Sequence, residues 1–374
     1  MIDRISEKNR ILKAFRTFPA VALLGPRQCG KTTLAKQIPY DHFFDLENVR
    51  DLVRFDHPQL ALENLSGTIV IDEVQRKPDL FPIIRYLVDH NPHQKYLILG
   101  SASRDLIRQG SESLAGRLAY LELSGFSLEE VSVEEKNKLW LRGSYPKSFL
   151  AEDEEASFLW RENYIRSFLE RDIPQLGIQL PAETLRRFWM MLSHYHGQIL
   201  NYSELAKSFG VSDMTVRKYI EILKGTFMVR LMTPWHNNTG KRIVKHPRLY
   251  LRDSGLFHSL QSIRYWNDLQ THPKLGASWE SFAVDTCIKK IGLGEEHFFF
   301  WSVHQGAEMD LFWKDRGKNW GIEVKYADAP KLTTSMKTAV KELELDHLWV
   351  VYPGRETYPI DKKITVVPMG SQFE

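Results

Sequence analysis

The stretch GPRQCGKTT places Gly25, Gly30, Lys31 and Thr32 at the spacing of a loop that cradles phosphate groups. In that chemistry Gly25, Pro26, Arg27, Gln28, Cys29, Gly30, Lys31, Thr32 and Thr33 wrap a nucleotide's phosphates. Available backbone N–H groups point inward, Lys31 reaches the β and γ oxygens and the Thr32 hydroxyl holds Mg²⁺. A second motif, TIVIDEVQ, carries two acids, Asp72 and Glu73, at the end of an apolar run. Asp72 would order the Mg²⁺ shell and Glu73 would align the water that attacks the γ-phosphate of ATP. Ser101 follows the next apolar run and is either a γ-phosphate sensor or only a turn former. Arg117, in ESLAGRLAY, is either an arginine finger for a neighbouring subunit's nucleotide or half of a local ion pair.

A second set of acids lies near the C-terminus. Trp320 to Lys325 alternates, so Glu323 and Lys325 share a face opposite Ile322 and Val324. Met309 to Trp313 is a second strand candidate, and KDRGKN between the two is a turn signal. A two-residue turn at Arg316-Gly317 sets Asp310 directly across from Glu323. Both carboxylates could then grip one divalent cation, an arrangement that a one-residue slip would abolish. Glu280, on the helical pattern GASWESFAVDTCIKKIG, could lean toward the same ion.

These groups need particular elements beneath them. Val21 to Leu24, Thr68 to Ile71 and Tyr96 to Leu99 read as buried strands alternating with helical patterns such as Leu80 to His90, which is a parallel α/β sheet. Ligands gather at the carboxyl ends of such strands. Ser127 and Glu130 stand in capping-box spacing at the head of an acidic stretch to Lys138, and Asp153 to Arg171 is long and helical, so a helical lid is expected to follow. ILNYSELAKSFGVSDMTVRKYIEIL reads as a helix from Tyr202, a turn at Gly210 and a second helix capped by Ser212. Val216, Tyr219, Ile220 and Leu223 form its apolar stripe and leave Arg217 and Lys218 more exposed. Two probable strands follow around a basic turn with Lys241, Arg242, Lys245 and Arg248, which has the look of a wing. Such a cluster suits salt-sensitive contacts to DNA phosphates; packing or oligomerisation is the alternative.

Fifty Lys and Arg balance 47 Asp and Glu, leaving a net charge of +3, so any DNA contact must be local. At 374 residues, two or three cores are expected, and 43% hydrophobic with 26% charged residues excludes fibrous and largely disordered chains. Cys29 and Cys287 have no ligand spacing, which argues against a disulfide or zinc framework and for a reducing cytoplasm. MIDRISEKNRILKAF lacks the apolar centre of a signal peptide, and no run approaches a membrane span, so no membrane partner is expected.

The wording GPRQCGKTTLAKQ, VIDEVQRKPDLF, LILGSASR, SLAGR, RGSYPKSFLAEDE and SFLERDIP resembles a family of bacterial and archaeal AAA-type ATPases joined to a C-terminal domain of long-unassigned function. The resemblance spans nearly the whole chain. It implies self-association, a hexameric ring among the forms, with Arg117 acting in trans and Gly143 and Pro146 near the nucleotide base. Ser144 stands where a second glycine is common. The order Glu280, Asp310, Glu323-x-Lys325 resembles the PD-(D/E)xK nuclease superfamily, with Met309 in place of the usual Pro. That implies Mg²⁺-dependent cleavage of DNA, branched or single-stranded, with Asp310 and Glu323 as metal ligands, Glu280 assisting and Lys325 orienting water or stabilising charge.

The expected architecture is therefore α/β: a P-loop ATPase core (1–125), a helical lid (126–180), a winged helix (181–252) and a C-terminal α+β restriction-endonuclease-like domain (253–374). The expected function is ATP hydrolysis that drives remodelling of bound DNA. A nucleotide-controlled switch or assembly factor with a non-cleaving C-terminal domain is the other reading.

Overall fold

The computed structural model describes residues 2–101, 114–175, 180–236, 245–303 and 306–373. Internal contacts divide the chain into two units, Met1–Phe126 with Ile222–Met228, and Ser127–Glu221 with Val229–Glu374.

The first unit is built on five strands, β1 (Ala20–Leu24), β2 (His42–Asp45), β3 (Gly67–Asp72), β4 (Gln94–Gly100) and β5 (Leu118–Glu122), ordered β2-β3-β4-β1-β5. Every neighbouring pair is parallel. Side chains alternate between faces. Ala20, Ala22, Ile69, Ile71, Tyr96 and Ile98 join the helix Leu80–His90 on one side, while Val21, Leu23, Val70, Leu97 and Leu99 meet Ile11, Leu34 and Ala35 on the other. Burial on both faces explains why these strands read as unbroken apolar runs. The carboxyl ends, at Leu24, Asp72 and Gly100, lie on one edge, as expected from sequence.

The second unit centres on a nine-stranded sheet in the order β13-β14-β12-β11-β10-β9-β7-β8-β6. Its strands are β6 (Gln198–Ile199), β7 (Val229–Pro234), β8 (Arg248–Leu251), β9 (Phe298–Ser302), β10 (Glu308–Asp315), β11 (Lys318–Val324), β12 (His347–Tyr352), β13 (Tyr358–Asp361) and β14 (Ile364–Pro368). β6 and β7 flank β8, both antiparallel to it; β6 precedes the helices Tyr202–Phe209 and Asp213–Gly225, and β7 and β8 follow them. Gly210 caps the first helix in the left-handed region, and the Ser212 hydroxyl accepts from the Thr215 N–H at 3.2 Å. β7 pairs in parallel with β9 at Thr233–Phe299 and Pro234–Phe300, so the helix-turn-helix segment and the C-terminal α+β segment share one sheet.

The acidic stretch after Ser127 departs from expectation. Its capping box forms, but the helix Leu128–Val131 ends at Ser132, with φ 85°, before a second helix runs Lys136–Arg142. Val131-Ser132-Val133 has little intrinsic preference for helix, which explains the break. Downstream, Asp153 caps Glu154–Ser167, and a π-helical turn Phe168–Asp172 continues it. This segment packs within the second unit: the Trp140 indole N–H donates to Ser278 Oγ at 2.9 Å, and the Arg161 guanidinium donates to the carbonyls of Leu141 and Gly255.

Candidate functional site

β1 ends directly in Gly25, where a Cβ would stand 1.9 Å from the Leu123 carbonyl oxygen, so only glycine lets the loop lie against the exit of β5. Gly30 turns the chain with φ 100° into the helix Lys31–Ala35. Lys31 is buried, and its ammonium donates to the carbonyls of Gly25 at 2.8 Å and Pro26 at 2.9 Å. Pro26 and Cys29 are buried, Thr33 is exposed, and Arg27 pairs with Glu47 at 2.5 Å. Two loop residues adopt positive φ, Gln28 at 61° and Gly30 at 100°, bending the backbone as an anion-binding concavity requires.

Across from the loop, Thr32 Oγ1 donates to Asp72 Oδ2 at 2.6 Å. Burial pushes the Asp72 carboxyl above the usual carboxylate range; the Thr32 bond and the Glu73 N–H at 2.9 Å pull the other way, while the Glu73 charge adds to the rise. A hydroxyl and a carboxylate side by side are hard oxygen donors of the kind Mg²⁺ takes, so these two residues fit the ion. Glu73 follows with φ 56° and ψ 44°, a left-handed conformation that turns it off the strand. Its Oε2 accepts from Gln75 Nε2 and from Ser101 Oγ at 3.3 Å, and Gln75 Nε2 also donates to Ser101 Oγ at 2.8 Å.

Sequence reasoning missed Gln75, although it stands in the quoted VIDEVQ; only the strand order, which sets β4 beside β3, reveals the link. It missed Arg4 as well. The buried Arg4 guanidinium donates to the carbonyls of Cys29 at 3.1 Å, Ser124 at 3.2 Å and Gly125 at 3.0 Å, tying the loop to the segment after β5. Arg117 takes the local pair that was one of its two options, donating from Nε to Asp89 Oδ1 at 2.5 Å.

In the second unit the hairpin has the register expected from sequence: Arg316 and Gly317 both take positive φ, 50° and 75°, and Leu311 pairs with Ile322, which sets Asp310 opposite Glu323. The register of β10 against β9 shifts between Met309 and Phe312, the stretch that holds Asp310 and Leu311. Asp310 Oδ2 accepts from the Val324 N–H at 2.8 Å, and the Lys325 ammonium donates to Glu323 Oε1 at 2.7 Å. Burial, then the Asp310 charge, pushes Glu323 up to about 8 against the pull of Lys325; burial and Asp310 likewise push Glu280 up to about 7.

Arg248 requires a correction. It is not an exposed wing residue facing DNA but is buried on β8, where NH1 donates to Asp310 Oδ1 at 3.0 Å and Glu280 Oε1 at 3.1 Å and NH2 donates to Glu308 Oε2 at 3.0 Å. The basic run KRIVKHPR concealed this because β8 begins inside it. Glu280 therefore faces a guanidinium, and among the described residues no three His, Cys, Asp or Glu side chains are grouped to hold a metal. With that cation in place, the cluster as seen here does not fit Mg²⁺.

Arg217 and Lys218 are exposed on Asp213–Gly225, and the Arg217 guanidinium lies 3.8 Å from the centre of the Tyr202 ring. Lys245 is exposed; Lys241 and Arg242 lie outside the described residues.

Residues 17–132 match the model of an AAA domain. Residues 133–267 and 275–371 match two domains of unknown function, DUF8612 and DUF4143. Uncharacterized protein Rv2008c of Mycobacterium tuberculosis and uncharacterized protein Mb2031c of Mycobacterium bovis are each 44% identical over 372 residues, covering 98% of this chain and 84% of theirs. The chain belongs to the same family as these two proteins. Its first unit is an AAA-type P-loop ATPase domain. Among solved structures, the Walker-type ATPase PABY2304 of Pyrococcus abyssi is similar with a TM-score of 0.46 and 14% identity, covering 70% of this chain and 96% of that one. RuvB of Thermotoga maritima is similar with a TM-score of 0.30 and 17% identity, covering 62% and 90%. No helix among the described residues is long and apolar enough to cross a membrane.

Proposed function

We propose that this chain binds ATP with Mg²⁺ along Gly25–Thr33 and hydrolyses its γ-phosphoryl group. The observation that carries this is the 2.6 Å contact between Thr32 Oγ1 and Asp72 Oδ2, beside a Glu73 held by Gln75 and Ser101. Bound Mg²⁺, held by Thr32 and Asp72, supplies charge withdrawal from the phosphate oxygens. Lys31 exchanges its two carbonyl partners for phosphate oxygens, a stronger charge-assisted pairing. Glu73 accepts a hydrogen bond from the attacking water and orients it, while Ser101 reports the γ-phosphate to the same carboxylate. Glu73→Gln should bind ATP and lose turnover, whereas Lys31→Ala should lose both; a Glu73→Gln chain with full turnover would refute the assignment.

The second unit is proposed to act on DNA. The order helix, turn, helix and two antiparallel strands supports a winged helix, with Arg217, Lys218, Lys241, Arg242 and Lys245 offered to phosphates. Removing the charges of Lys241 and Arg242 should flatten the salt dependence of DNA affinity. For the C-terminal segment, cleavage by Asp310, Glu323, Glu280 and Lys325 is one reading. The guanidinium among those acids favours the other, a non-cleaving domain in a nucleotide-controlled switch. Labelled linear, single-stranded and branched DNA, incubated with and without ATP and Mg²⁺, separates them: cleavage lost in Asp310→Asn supports the first, and intact DNA throughout supports the second.

A further inference from the structure

We propose that Arg248 is the resident cation of the C-terminal acidic cluster, holding Asp310 and Glu280, two of the three acids that a divalent metal there would share with Glu323, so that this state of the chain takes no metal there. The inference concerns the cluster on which the cleavage reading rests, and the test below lets the two fail separately.

Arg248 is fixed from several sides. Its guanidinium carbon lies 5.0 Å from the centre of the Phe300 ring on β9, and Tyr250, two residues along β8, points its hydroxyl the same way, with NH1 at 3.4 Å. NH1 donates to one oxygen of Asp310 and one of Glu280, and NH2 reaches Glu308, so three carboxylates converge on one planar donor set. Those oxygens are further committed. The second oxygen of Asp310 accepts from the Val324 N–H, and Glu280 Oε1 accepts from the Tyr250 hydroxyl at 2.6 Å.

A divalent ion binds carboxylate oxygens at about 2.0–2.6 Å. On Asp310 Oδ1 and Glu280 Oε1 it would approach NH1, and two cations that close in a buried site repel strongly. Either the guanidinium or the ion can hold this pair. Asp310 lies where the register of β10 against β9 shifts, and Arg248 stands on β8 of the same sheet, so both partners of this contact are carried by one sheet.

The test is a Mn²⁺ titration of the nucleotide-free full-length chain, with free ion followed by electron paramagnetic resonance. The Thr32 and Asp72 background is common to every variant. The parent and Asp310→Asn should bind the same number of ions. Arg248→Met should gain one ion, with an affinity at least about tenfold above anything the parent shows at the cluster, and Arg248→Met with Asp310→Asn should lose it again. An Asp310-dependent ion in the parent would overturn the proposal, as would no gain in an Arg248→Met chain whose circular dichroism and melting match the parent. If Arg248→Met does not fold, Arg248→Lys replaces it: one ammonium cannot span three carboxylates, so a weak Asp310-dependent ion should enter, and its absence overturns the idea. DNA cleavage assayed on the same proteins distinguishes the claims. A Mn²⁺-binding Arg248→Met chain that leaves DNA intact refutes cleavage and leaves Arg248 as the resident cation, whereas an Asp310-dependent ion in the parent does the reverse.

Discussion

The proposed roles of Lys31, gripping the phosphates, and of Gln75, holding Glu73 against Ser101, are different, so their losses should differ in kind. Lys31→Ala removes the one positive charge in the loop able to follow the γ-phosphate, so ATP turnover should fall by about 10²–10³-fold or more, measured as steady-state phosphate release. Gln75→Ala removes only the bridge between Glu73 and Ser101. There kcat should fall by about tenfold with ATP affinity nearly unchanged, because orientation rather than binding is lost. An equal fall in affinity would assign Gln75 to binding. Lys31, Thr32, Asp72 and Glu73 were legible because each chemistry demands one residue type at a fixed offset from a strand end. Arg4 and Arg248 were not: each acts through partners far along the chain, Arg4 through Ser124 and Gly125, Arg248 through Glu280, Glu308 and Asp310. A lone arginine in a charged stretch gives no hint of such burial.

The elements set how much freedom those side chains have. Because Gly25 lies against the Leu123 carbonyl, Gly25→Ala should force β1 and the end of β5 apart. The expected cost is more than about 2 kcal/mol in urea unfolding, together with loss of ATP binding by calorimetry. The parallel strands and the β10–β11 register could be read beforehand because period-two burial and a turn with Gly317 specify them locally. The break at Ser132 and the parallel pairing of β7 with β9 could not. The first turns on weak local preferences, and the second joins segments some 65 residues apart, for which no local pattern exists.

Two buried histidines tie the second unit's stability to pH. His196 accepts from the Leu251 N–H at 3.0 Å; His258 lies between the Leu141 carbonyl and Ser278 Oγ, and burial holds both at about 3. The unfolded chain protonates them near 6.5, so it binds more protons than the native state below that pH. Their contribution is complete above about pH 6.5 and is lost progressively toward pH 3, on the order of a few kcal/mol. The raised Glu280 and Glu323 carboxyls act in the opposite sense over the same range, so the histidine effect is read by difference: the stability lead of the parent over His258→Gln in urea unfolding should shrink from pH 7 to 5 to 4, and a constant lead would refute it. Self-association has its own test. If Arg117 serves a neighbour's nucleotide, mixing Arg117→Ala with Lys31→Ala chains should restore part of the turnover that each lacks alone; no recovery would leave Arg117 as the partner of Asp89.

Thr233 and Pro234 against Phe299 and Phe300 make a short seam with a large effect on what can be cut away. A fragment starting at 253 would bare the flank of β9, a row of unpaired amides and carbonyls that invites edge-to-edge aggregation. The same fragment would leave the acids at 280, 308 and 310 without their guanidinium. Any metal uptake or nicking seen with such a piece would therefore describe a mutilated surface rather than the intact polypeptide.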